Sequence, residues 1–128
     1  MKEMVKKYAI DENLNCAETM LHVAAEAWGL EVPAAAYHAV GPYGGGCGCG
    51  ETCGALLGSL AAIGVRDITT DAHQTEGLRD TAGQFVKDFA EHFGSIQCTP
   101  LKEKYAQPEI RCLHLLEQTA ELLDGYSK

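Results

Sequence analysis

Residues 44–58 read GGGCGCGETCGALLG. The first half resists regular structure, because each glycine in a helix costs about 1 kcal/mol relative to alanine. From Cys53 onward the stretch is apolar and suits a helix. It therefore reads as a glycine- and cysteine-rich loop leading into a central helix over 53–63, with Thr52 as its cap and Gly64 as its end. Gly54 and Gly58 lie four apart, so one face of that helix lacks side chains. That face lets a neighbouring backbone or a cofactor approach closely. It suits a homodimer contact or packing against the chain's own core.

Outward from this stretch, helical signals recur and strand signals are nearly absent. Asn15-Cys16-Ala17-Glu18 matches a capping box, with apolar residues following at helical spacing until Gly29. A short helix over 2–8 precedes it, and Pro33 suits the first turn of another ending near Ala39. A longer helix is expected from Asp71 to Phe93, closed by Gly94, and a last one from Pro108 to Gly125. Cys98 falls in the turn between them, before Pro100. The expectation is an all-α fold: a single domain over 1–128, a compact bundle of about five or six helices with the Gly/Cys-rich loop before the central one.

Charge narrows the partners. Lys and Arg total 10 against 18 acids, a net −8, and the basic residues are scattered. Neither nucleic acid nor an anionic membrane surface is expected to bind such a chain. The N-terminal segment lacks a secretory pattern. The longest uncharged run, Val32 to Gly50, is glycine-rich and contains Pro42, so no membrane helix is expected. The chain reads as cytoplasmic, where its 6 cysteines serve redox or metal chemistry more readily than structural disulfides.

Cys16 and Cys53 are expected as first residues of helices, and Cys112 near the start of the last. Helix N-termini present unpaired N–H groups and partial positive charge, which lower a thiol pKa from its free value of about 8.5. Were these ends to converge, they would form a pocket for negative sulfur. Gly44, Gly45, Gly46, Gly48 and Gly50 would floor it with inward N–H groups. Core packing accounts for Cys16 or Cys112 taken singly, but poorly for Cys47-Gly48-Cys49, which sits between glycines. The loop lacks the register of a dinucleotide or P-loop fingerprint. No C-x-x-C pair occurs, which removes the standard zinc-ribbon and thioredoxin patterns, and no C-x-x-C-H occurs, so covalent haem is not expected. His22 and His38 read as ordinary helix residues, His73 and His92 as solvent residues, and His114 points away from Cys112.

The run Asn15-Cys16-Ala17-Glu18, the glycine loop entering Cys53-Gly54-Ala55-Leu56-Leu57-Gly58, the turn Phe93-Gly94-Ser95-x-x-Cys98 and the late Cys112 resemble the C_GCAxxG_C_C family of redox-active proteins. The resemblance runs from about Asn15 to Leu123. It implies four signature cysteines: Cys16, Cys53, Cys98 and Cys112. It also implies kinship with split-Soret cytochromes, in which a similar domain accompanies haem and a non-haem iron–sulfur centre. Only the iron–sulfur half can carry over to this chain. Cys47 and Cys49 look like additions to the pattern, and as extra ligands would enlarge the set.

Three functions follow as expectations. The first is an iron–sulfur cluster on Cys16, Cys53, Cys98 and Cys112, flanked by Gly46, Gly48 and Gly50, serving electron transfer with a protein partner. The second is a metal-free thiol–disulfide protein using Cys47, Cys49 and Cys53. The third is a non-catalytic zinc-binding or interaction module. No sequence feature identifies a substrate or a turnover reaction.

Overall fold

The computed structural model describes residues 1–128 and contains seven helices and no strand. Helix α1 (2–11) opens as a 3-10 turn and ends in a wider π turn. It is followed by α2 (Cys16–Trp28), α3 (Ala34–Val40), α4 (Gly54–Asp67), α5 (Leu78–Phe93), α6 (Cys98–Tyr105) and α7 (Leu113–Asp124). The all-α expectation holds, with one more helix than the five or six expected.

The extra element is α6. Thr99-Pro100 reads as a helix break, yet Pro100 falls at the third position of α6. There the missing N–H is one of the first-turn donors that have no partner anyway. Three other boundaries differ. The central helix continues through Gly64 to Asp67, because a glycine ends a helix only when tertiary packing favours the left-handed turn. The fourth expected helix starts at Leu78 instead of Asp71: Gly77 sits at φ 79° and breaks the run. The last helix starts at Leu113 instead of near Pro108, since Glu109 and Arg111 both adopt positive φ, which a helix excludes.

The capping box on α2 forms as read. The Asn15 side chain accepts from the Glu18 amide at 3.0 Å, and the Asn15 amide donates to the Glu18 carboxylate at 3.0 Å. Gly29 and Gly94 close α2 and α5 in the left-handed conformation.

One hydrophobic core of 23 buried residues draws on every helix. Its centre is α2 against α4, the most extensive helix contact in the molecule. Gly58 makes it possible: a Cβ there would lie 2.4 Å from the Ala17 carbonyl oxygen and 2.8 Å from the Ala17 Cα. The bare face of α4 is thus spent inside the chain, against α2, and offers no ground for a second copy. Phe85, Phe89 and Phe93 of α5 are buried in the same core, where α5 packs on α4 and α7. No helix is long and apolar enough to cross a membrane.

Candidate cysteine site

Four cysteines stand at the starts of four helices. Cys16 and Cys98 are the first residues of α2 and α6, and Cys53 and Cys112 are the N-cap residues of α4 and α7. The sequence places Cys98 in a turn and Cys112 near the start of the last helix; Cys98 instead opens α6, and Cys112 stands at the start of α7 as its N-cap.

Short backbone ties draw these starts together. The Cys53 amide donates to the Ile96 carbonyl at 2.7 Å, and the Cys98 amide donates to the Glu51 carbonyl at 2.6 Å. This two-way pairing sets α4 and α6 side by side at their first residues. The Asn15 side-chain amide donates to the Gly41 carbonyl at 2.8 Å, fixing the start of α2 beside the glycine loop. Arg111 reaches back to the α1–α2 junction, donating to Asn13 Oδ1 at 2.7 Å and to the Ala9 carbonyl. The start of α7 is thereby tied to the same corner.

Cys16, Cys53, Cys98 and Cys112 all line one small cavity of about 30 Å³, together with Leu101, Lys102 and Leu115. Gly54 lets it close, since a Cβ there would meet the Cys16 sulfur at 2.5 Å. Gly46, at φ 65°, lies against the Cys98 Cβ, where any side chain would collide at 2.4 Å. All six cysteines are free thiols, and no group of three Cys, His, Asp or Glu side chains stands as a site for a single metal ion.

Helix-start amides do face the sulfurs. Amides of Gly45 and Ala17 favour the Cys16 thiolate, and those of Ala55 and Leu56 favour the Cys53 thiolate. The expected drop in pKa nevertheless does not occur. Burial pushes Cys16 up and Cys53 up to about 12, and burial also raises Cys112 against the pull of Lys102 and Arg111. Removing a thiolate from water costs more than two amides return. The sequence reading counted the helix ends and omitted the desolvation.

The other loop residues lie apart from this cavity. Cys47 and Cys49 are exposed, with Cys47 at φ 59°, and neither lines the four-cysteine cavity. Gly48 meets no neighbour, and Gly50 lies beside Thr99 on an outer groove shared with Cys49 and Cys98. The Gly45 amide faces the Cys16 sulfur although the residue itself is exposed, and Gly46 is buried against Cys98. Gly44 does not adopt positive φ, but packs against the Asn15 side chain.

His22 is stacked between Tyr8 and Tyr37, at ring-centroid distances of 4.9 and 3.7 Å. His92 and His114 are exposed and bond to Gln118 and Glu117 on α7, away from the sulfurs. The residues that sequence reading missed are Lys102 and Arg111, the cations beside the thiols. A lysine four residues after Cys98 signals this only if 98–105 is known to be helical.

A helical protein whose four cysteines share a cavity at the meeting point of four helix starts is the class that this geometry defines. The model of the family described as "Putative redox-active protein (C_GCAxxG_C_C)" matches residues 14–126, and the chain belongs to that family. No curated protein and no solved structure matches the chain.

Proposed function

We propose that this is a cytoplasmic electron-transfer protein whose Cys16, Cys53, Cys98 and Cys112 hold an iron–sulfur cluster. The observation that carries the reading is the convergence of four cysteines, from four separate helix starts, on one apolar cavity. The donor chemistry fits: such clusters are held by Cys thiolates. When bound, the group supplies one-electron exchange. The chain supplies the rest. Amides of Gly45, Ala17, Ala55 and Leu56 stabilise negative sulfur. Leu101 and Leu115 exclude water, and Lys102 and Arg111 bring positive charge to the open side.

The test is anaerobic purification followed by iron and sulfide analysis and a visible spectrum. Expected are stoichiometric iron and sulfide with charge-transfer absorption, lost on Cys53→Ser. A colourless, iron-free protein that also fails to take up iron and sulfide on reconstitution overturns the reading.

One observation favours a second chemistry. Cys47 and Cys49 are both exposed across a single glycine, on a loop rich in left-handed residues. In that reading the pair cycles between dithiol and disulfide. Two thiols lose two protons and two electrons to a partner disulfide, which leaves as two thiols. A two-electron step in the redox titration of Cys16→Ser/Cys53→Ser protein, abolished by Cys49→Ser, is the outcome it requires.

A further inference from the structure

A second cavity, of about 390 Å³, opens against the same sulfurs. Cys16, Cys98 and Cys112 form part of its wall, and Ala9, Leu14, Ile110 and Leu116 make it apolar. Its size lies within the range of small-molecule sites, roughly 300–1,000 Å³. Two cations, Lys102 and Arg111, line it, and no acidic residue does. That is a departure from a chain with net charge −8. The cations are also uncommitted. Lys102 makes no ion pair, and Arg111 bonds only to neutral acceptors, Asn13 Oδ1 and the Ala9 carbonyl. Lys102 stands where this cleft, the four-cysteine cavity and the outer glycine groove meet.

Arg111 is held in place at a conformational cost. It adopts φ 51°, and Glu109 adopts φ 70°, in a loop closed by reciprocal backbone bonds between Gln107 and Arg111 of 2.9 and 2.8 Å. Non-glycine residues rarely adopt this region and persist there where surrounding structure demands them.

We infer that this cleft binds a small organic monoanion with an apolar body, its anionic end at Lys102 and Arg111 and its body among Leu14, Ile110 and Leu116, beside three of the four signature thiols. A neutral apolar molecule would make no use of the two cations, which stand at the solvent-facing edge of the cleft. A polyanion would have too little polar wall to meet it. That the ligand is the redox substrate of the cysteine site rests on the reading under Proposed function; the binding does not.

Calorimetric titration of the protein as isolated anaerobically, with hexanoate, hexan-1-ol and hexylammonium as probes, tests this. Expected is hexanoate bound about tenfold more tightly than hexan-1-ol, the ratio one charge-assisted contact supplies, with hexylammonium weakest. Lys102→Gln reduces the preference for hexanoate, the remainder resting on Arg111, and leaves hexan-1-ol unchanged. Ala106→Trp, at an exposed position on the cleft rim, weakens both. Equal affinities for hexanoate and hexan-1-ol, an unaltered preference in Lys102→Gln, or no binding of hexanoate overturns the inference. In that case the cations serve the sulfurs alone. Iron and sulfide analysis of the same samples separates the two readings. Selective hexanoate binding without iron sinks only the cluster, and iron without selective binding sinks only the cleft.

Discussion

His22 shows what burial does to one titratable residue. It lies half-buried between the rings of Tyr8 and Tyr37, and desolvation lowers its pKa below the ordinary 6.5, against the weaker upward pull of Glu12 and Glu18. The unfolded chain therefore takes up a proton before the folded one does. The stability that the neutral ring contributes is full above the unfolded pKa and is lost as pH falls through the folded value. The melting temperature is expected to fall as pH drops below the ordinary histidine value of 6.5, and to fall less in His22→Phe, which keeps the stack without the titration. Equal slopes for the two proteins in a thermal melt series would show that His22 does not titrate as described.

At the scale of elements, Gly54 and Gly58 of α4 do different jobs on one face. Gly58 meets backbone, the Ala17 carbonyl and Cα of α2, which cannot move aside singly. Gly54 meets the Cys16 sulfur and the Tyr43 carbonyl. Gly58→Ala is expected to destabilise the fold by about 1–3 kcal/mol, the usual cost of overpacking, in chemical denaturation. On the cluster reading proposed above, Gly54→Ala displaces the Cys16 sulfur and iron content falls by a larger fraction than stability does. If both variants lose stability and iron in parallel, the division of labour along α4 is wrong. The sequence showed this face through the spacing of four, but not its neighbour. Only the crossing of α2 and α4 tells a dimer surface from an internal seam.

For the whole molecule, the fold separates its thiols by exposure. Cys47 and Cys49 ride the outside of the glycine loop, whereas Cys53 is 5% exposed and enclosed by the starts of four helices. Alkylation of metal-free native protein, followed by mass spectrometry, is expected to label Cys47 and Cys49 first and Cys53 only on unfolding. Early labelling of Cys53 would mean that the cavity is open in solution.

The helical class, the capped start of α2 at Asn15 and the bare face of α4 were all legible in the chain, because each depends on neighbours within a turn or two; the set of four signature cysteines came only from the family resemblance. Capping, helical periodicity and glycine spacing are local physics. The start of α6 beneath Thr99-Pro100, the delayed start of α7, the position of Cys112 as a cap and the rise in thiol pKa were not. They depend on the Cys53–Ile96 and Cys98–Glu51 pairing, on Arg111 reaching Asn13, and on how much water the packed helices leave around sulfur. Residues far apart in the chain set all three, so only the assembled structure decided that four thiols share one cavity and that two unpaired cations stand beside it.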